Sequence, residues 1–231
     1  MLNYFKQSFK GWSKAQIAWI VCAPLVTLIL ALVNGDSVLS IVSSVTGIIG
    51  VIMLGGRSIL GFAFAIVNIA TYTYLALTIG LYSETVLNLV YYIPMQVYGL
   101  FAWRKSLNTN DDQGAVEVKS MSKSNLVKLL AGVTVVIVIY AFVLARLGDG
   151  RPIPDAIISI TSMTATFLNA KQFRTQWVFW VTAQVASVVV WTVALFEGFG
   201  NVCTVMQWFI FLINSCFGIK AWSKNHSKVE E

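Results

Sequence analysis

Apolar runs recur eight times along the chain, each closed by a short polar or basic stretch: Ala15–Val33, Ser37–Leu54, Ile59–Leu81, Thr85–Trp103, Asn125–Ala145, Ile153–Ala170, Trp177–Phe196 and Val202–Ala221. At 1.5 Å per residue, about 20 residues of helix cross a hydrocarbon core of about 30 Å. The pattern therefore predicts eight membrane-spanning helices. The sixth run, IPDAIISITSMTATFLNA, is the most polar, rich in Ser and Thr with Asp155 near its start. A helix of that composition is better shielded by neighbouring helices than turned to lipid.

Composition agrees: 57% of the 231 residues are hydrophobic, 11% are charged, and mean hydropathy is +0.75. A soluble protein of this length carries far more surface charge. The net charge of +6 could suggest nucleic acid, but the basic residues sit at the ends of apolar runs, where membrane topology accounts for them. With both termini inside, 14 basic residues fall on the inner side (Lys6, Lys10, Lys14, Arg57, Arg104, Lys105, Lys119, Lys123, Lys128, Lys171, Arg174, Lys220, Lys224 and Lys228) and 2 outside, Arg146 and Arg151. This is the positive-inside distribution, with both termini cytoplasmic. The long loop SLNTNDDQGAVEVKSMSKS reads as a flexible inner linker without chemistry. Cys22, Cys203 and Cys216 lie inside apolar runs without CxxC or CxxH spacing, so they read as small buried apolar residues. The first run follows Lys6, Lys10 and Lys14 but is too long for a signal peptide and ends in no small-x-small site. It reads as a retained helix.

The second half of the chain echoes the first. SVTGIIGVIML (Ser44–Leu54) aligns with SITSMTATFLN (Ser159–Asn169), and YYIPMQVYGLFAWRK (Tyr91–Lys105) with IFLINSCFGIKAWSK (Ile210–Lys224). Gly99 then falls over Gly218, Trp103 over Trp222 and, in the same register, Tyr72 over Trp191. The unit is three helices, spans two to four and six to eight. An odd unit repeated in one orientation requires a lone helix between the copies, and the fifth span supplies it. Parallel repeats of this kind build transporters such as the SWEETs, with substrate near the midplane between repeats. The expected domains are 1–35, a peripheral N-terminal helix; 36–105, the first repeat; 106–150, linker and connecting helix; 151–224, the second repeat; and 225–231, a cytoplasmic tail.

The spans carry polar faces. In the fourth, Asn88, Tyr91, Tyr92, Met95, Gln96, Gly99 and Trp103 follow helical steps of three and four. In its repeat partner Gln207, Ile210, Phe211, Asn214, Ser215, Gly218 and Trp222 take the same positions. Trp177, Trp180, Gln184, Ser187 and Trp191 form such a face in the seventh span, and Asn68 and Tyr72 lie on the third. Asn68, Gln96, Gln184 and Asn214 each fall roughly 3–4 Å to the inner side of their span's centre. Four carboxamides at one level suggest a polar site, since they donate and accept without a charge to desolvate. Tyr72, Tyr92 and Trp180 would wall it. Pro94 deprives the carbonyl of Val90 of its helical partner and permits a kink. The competing role for each Asn and Gln is glue between helices, at about 0.6 kcal/mol. Trp103, Trp177 and Trp222 read as an interfacial belt, and Gly99 and Gly218 as packing glycines. No ionisable residue lies near mid-depth, as a proton-driven carrier normally requires, so passive transport follows. His226, the single histidine, falls in the charged tail. No nucleophile with base, carboxylate pair, metal cluster or phosphate loop can be assembled, which argues against an enzyme, a metal or a cofactor.

YYIPMQVYGLFAW, WVFW and the Gly218–Trp222 pair resemble the Pnu family of bacterial vitamin transporters, in particular its nicotinamide riboside branch, over Ser37 to Lys224. The Pro94-Met95-Gln96 stretch with Gly99 one turn on, and the Trp177/Trp180 pair, are the specific elements. The resemblance implies an all-α membrane protein of eight transmembrane helices, a SWEET-like 3+1+3 core plus one N-terminal helix, in a bacterial inner membrane. It implies facilitated diffusion of nicotinamide riboside, trapped inside by a cytoplasmic nicotinamide riboside kinase. Carried over by position, the site residues are Trp180, Gln184 and Gln96, with Asn214 a looser match; Asn68 and Asn88 are added from face and depth, and Tyr72 and Tyr92 as aromatic walls. Family members often have tryptophan after the glycine of the Pro-Met-Gln helix; here Leu100 follows Gly99, which bears on the choice of vitamin. A ring cation suits aromatic faces, at about 2 kcal/mol when desolvated, and thiamine shares that property. A SWEET-type sugar carrier, a channel and a membrane receptor are the other readings.

Overall fold

The structure, a computed structural model, describes residues 9, 12–107, 116–198, 202–223 and 229–230. Lys6, Lys10, Lys224, His226, Lys228, residues 108–115 of the polar loop and the Cys203 side chain lie outside that description. Each predicted run has its helix: α1 (Lys14–Val33), α2 (Val38–Gly55), α3 (Leu60–Thr78), then α4 (Tyr82–Leu87) continuing through a π-helical turn (Asn88–Tyr92) into α5 (Ile93–Ser106), then α6 (Lys123–Arg146), α7 (Pro152–Ala170), α8 (Gln176–Phe196) and α9 (Val202–Ser223). Six of these, α1, α2, α3, α6, α8 and α9, are long and apolar enough to cross a membrane by length and composition. The other two are the Ser/Thr-rich α7 and the helix interrupted at Asn88. Among the described residues this is an all-α membrane protein of eight helices. The exception is a parallel pairing of two-residue strands, β1 (Ser120–Met121) and β2 (Val229–Glu230).

Local chemistry sets the helix ends. Ser13, Ser37 and Ser122 cap α1, α2 and α6, each accepting the amide three residues on, and Gln16 completes a capping box with Ser13. Left-handed glycines follow α1, α3, α6 and α8 at Gly35, Gly80, Gly148 and Gly198. The turns after α2 and α7 differ. Arg57 (φ 63°) and Gln172 (φ 70°) hold the left-handed position without being glycine, at a cost of about 1–2 kcal/mol each. Both turns close with the same long bond, Ser58 N to Met53 O at 2.8 Å and Phe173 N to Leu168 O at 2.9 Å. The interval between Arg57 and Gln172 is the one that separates Ser44 from Ser159 in the repeat alignment.

The chain forms two compact units, one within residues 1–117 with 170–172 and 216–225, the other within 118–169 with 173–215 and 226–231. In the first, α2 lies against α3 at close range. A Cβ on Gly61 would stand 2.7 Å from the Leu54 backbone nitrogen and 2.8 Å from the Gly50 oxygen, so only glycine permits that approach. The belt expectation for the tryptophans is corrected. Trp103 is fully covered and Trp222 nearly so, their rings 5.7 Å apart, and Trp103 stands edge-on to Phe62 at 4.9 Å. The Trp222 indole N–H donates to Gly55 O at 3.1 Å. A buried indole needs such an acceptor, and the end of α2 provides it. Trp177 is likewise buried.

In the second unit α6, α7 and α8 meet around Ala165, Leu168 and Phe179, with Leu129, Val133, Phe173 and Trp180 against them. The flexible-linker expectation fails for the end of the loop. Val116, Val118 and Ser120 are buried in alternation with Glu117 and Lys119, the period of an extended strand. Arg57 Nη1 donates to Val116 O in the first unit, and Arg174 N to Lys119 O in the second. Cys22 and Cys216, expected buried, are exposed free thiols. Apolar side chains face outward along most of the helices, as a lipid-facing surface requires.

Candidate functional site

Pro94 has no N–H to return to Val90, and the helix responds one turn earlier. Ile93 N donates five residues back to Asn88 O, and the chain runs as a π helix from Asn88 to Tyr92. The expected disruption at Pro94 thus takes the form of a widened turn that itself carries two candidates. Thr85, Asn88, Gln96, Gly99 and Trp103 are buried and Tyr92 is half-buried, so the polar face persists across the π turn.

On that face Asn88 is 4% exposed and Gln96 8%. Asn88 Nδ2 and Gln96 Oε1 are buried without hydrogen-bond partners. Each such atom costs about 1–3 kcal/mol, which is why buried donors and acceptors are ordinarily paired. Between them Tyr92 stands edge-on to Tyr91 at 5.3 Å. Glu84 lies in the first turn of this helix, at its end, and leaves mid-depth free of charge.

Asn68 behaves differently. Its Nδ2 donates to Ser43 O at 2.8 Å and to Ser43 Oγ at 3.2 Å, while Ser43 Oγ donates back to Asn68 O. This is the helix-gluing role weighed for carboxamides, and it ties α2 to α3. Tyr72, one turn on along α3, is 40% exposed.

In the second unit Gln184 of α8 is 7% exposed and accepts from Ser215 Oγ of α9 at 2.6 Å. Asn214 is 4% exposed beside it in sequence. Trp180, one turn before Gln184, is half-buried and rests on the Ala165–Leu168–Phe179 cluster. Part of its ring is therefore structural. Ser187, one turn after Gln184, is fully buried with Oγ unpaired. Sequence reasoning had Ser187 and Ser215 on the right faces but did not count them as site residues. The available signal was their register: Ser215 occupies Gln96's place in the second repeat, and Ser187 that of Asn68.

The arrangement offers donors, acceptors and flat aromatic surface, without a nucleophile or a charge. Among the described residues no group of His, Cys, Asp or Glu could hold a metal ion.

Comparison with known proteins supplies the context. The family model described as nicotinamide mononucleotide transporter matches residues 37–224. The chain is 28% identical over 222 residues to the nicotinamide riboside transporter PnuC of Neisseria mucosa, covering 95% of this chain and 84% of the relative. It is 24% identical to the protein of the same name from Haemophilus influenzae, covering 95% and 94%. A crystal structure of the vitamin B3 transporter PnuC superposes with a TM-score of 0.80 at 27% identity, over 97% of each chain. A transporter rather than an enzyme, this chain belongs to the nicotinamide mononucleotide transporter family, the family of PnuC.

Proposed function

We infer that the protein is a uniporter for nicotinamide riboside. The reading is carried by the match to nicotinamide riboside transporters along 95% of the chain. The candidate residues support it: Trp180, Tyr72 and Tyr92 offer π faces to the cationic ring, and Gln184, Gln96, Asn214, Asn88 and Asn68 offer amide and hydroxyl partners. Among these, Asn68 has its amide nitrogen engaged with Ser43. The family description names the mononucleotide, but no candidate residue is basic, and a phosphate dianion leaving water needs Arg or Lys. The unphosphorylated riboside is therefore favoured. Eight spans in a 3+1+3 parallel-repeat arrangement with an additional N-terminal helix, both termini cytoplasmic in a bacterial inner membrane, complete the reading. It is supported by the basic-residue distribution and by matching left-handed turns at Arg57 and Gln172.

Transport is passive, since no span carries an ionisable group near mid-depth. Net uptake depends on a cytoplasmic nicotinamide riboside kinase that removes free substrate. The test is counterflow into liposomes holding purified protein, with nicotinamide riboside, its mononucleotide, thiamine and glucose as competitors. Saturable exchange inhibited by the riboside alone is expected. Inhibition by thiamine or glucose instead, or accumulation driven by a proton or sodium gradient, overturns the reading.

A further inference from the structure

Most threonine hydroxyls on these helices follow one habit. Thr27, Thr71, Thr73, Thr85, Thr134, Thr161, Thr164, Thr166 and Thr182 each donate to the carbonyl four residues back on their own helix. That bond satisfies a hydroxyl in a medium that offers no water. Ser215 departs from it. Among the described residues its hydroxyl bonds only to Gln184 Oε1, on another helix, at 2.6 Å, and it is fully buried. A serine has one proton to give, and here it goes to the glutamine.

A carboxamide has two ends. With its oxygen held by Ser215, Gln184 cannot rotate by half a turn without breaking a short buried bond. Its amide nitrogen, which makes no hydrogen bond among the described residues, is the end left to donate. The first repeat lacks this arrangement. Gln96 stands where Ser215 stands in the second, Ala65 where Gln184 stands, and Gln96 Oε1 is buried without a partner. The first repeat's carboxamide is unanchored; the second's is fixed.

We propose that Ser215 is a positioning residue that locks the Gln184 carboxamide with its N–H₂ toward substrate, so that this point of the site recognises a hydrogen-bond acceptor. The acceptor class comprises an amide oxygen or a ribose oxygen. The inference rests on the reading of Gln184 as a substrate contact and adds to it the direction of the bond and the residue that sets it.

A double-mutant cycle on nicotinamide riboside affinity, measured by calorimetry on purified full-length protein, tests it. Ser215→Ala is expected to weaken binding about 5- to 10-fold, the size of one hydrogen bond. In a Gln184→Ala background the same change is expected to cost less than about twofold. A purely structural serine would weaken binding equally in both backgrounds, and that result overturns the proposal, as does unchanged affinity of Ser215→Ala alone. Should Ser215→Ala fail to fold, Ser215→Cys keeps the volume with a weaker donor. It is expected to lose about 2- to 3-fold, again only when Gln184 is present, and an equal loss in both backgrounds counts against the proposal. If Gln184→Ala itself binds like wild type, the substrate-contact reading fails and carries the proposal with it. If Gln184→Ala weakens binding and Ser215→Ala does not, only the positioning role fails.

Discussion

Placing a methyl group at Gly99 should cost stability through one neighbour, Phe62. An alanine Cβ there would lie 2.5 Å from Phe62 Cε1, 2.7 Å from Cζ and 3.3 Å from the Ala170 Cβ. Carbon pairs prefer about 3.5–4.0 Å, so the ring or the helix must give by roughly 1 Å. The ring has nowhere to go: Phe62 is 1% exposed, and fully covered Trp103 stands edge-on to it at 4.9 Å and 89°. Overpacking of this kind costs about 1–3 kcal/mol. For a chain of this size that corresponds to a melting shift of about 2–12 °C, followed by intrinsic tryptophan fluorescence in detergent. Leucine at position 62 lacks the Cε1 and Cζ atoms that clash. In a Phe62→Leu background Gly99→Ala should therefore be neutral or stabilising, a coupling of about 1–3 kcal/mol. An equal drop in both backgrounds refutes the packing argument. If Gly99→Ala leaves melting unchanged but abolishes substrate binding, Gly99 serves by letting substrate approach the helix.

Further outcomes follow from other parts of the structure. Trp180→Ala should weaken nicotinamide riboside binding by about 30- to 150-fold, or 2–3 kcal/mol, with Trp180→Phe retaining more; calorimetry showing equal affinity for wild type and Trp180→Ala removes the residue from the site. Gln172→Gly and Gln172→Ala both lose the bonds from Gln172 Nε2 to Ala102 O and Ser106 Oγ, but glycine avoids the left-handed penalty. The glycine variant should therefore be more stable by about 1 kcal/mol and melt about 2–4 °C higher; an equal or lower melting point would mean that the turn carries no strain. A cysteine introduced into the Ser106–Ser124 loop, in a chain whose own three cysteines have been replaced, should resist impermeant thiol reagents added outside intact cells; ready labelling would reverse the proposed topology.

Helix existence was legible because apolar length is a strong signal. All eight runs became helices, including the Ser/Thr-rich Pro152–Ala170. Where sequence reasoning misplaced residues, it lacked the identity of the neighbour. Trp103 and Trp222 fit an interfacial belt by depth alone, yet each found an aromatic partner and Trp222 an acceptor at Gly55. Depth and partner are independent, and only depth can be read from periodicity. The extended segment Val116–Ser120 did carry a visible signal, its alternation of buried and open positions, but five residues inside a polar loop did not stand out. In the candidate site, face and depth singled out Gln96 and Gln184 as buried carboxamides. They could not distinguish Asn68, spent on Ser43, from Asn88, whose amide nitrogen is unpaired. That distinction depends on a serine from another helix.

The two strained turns bear on the order in which the chain assembles. A left-handed glycine closes a helix end unaided, so the corners at Gly35, Gly80, Gly148 and Gly198 can set as soon as their helices exist. Arg57 and Gln172 resist the same conformation until something outside the turn holds them. For Gln172 the holding groups, Ala102 O and Ser106 Oγ, precede it by 70 and 66 residues and have already left the ribosome. For Arg57 one acceptor, Val116 O, comes 59 residues later. The hypothesis that follows is that the α7–α8 corner latches on arrival, whereas the α2–α3 corner gains the Arg57–Val116 bond only once residue 116 has been made. Pulse-labelled nascent chains ending before and after Val116 would show it as a change in protease resistance at Arg57; equal resistance in both would rule it out. Translation order would then separate two turns that share one geometry: the first acquires one of its partners late, and the second arrives to find its partners already made.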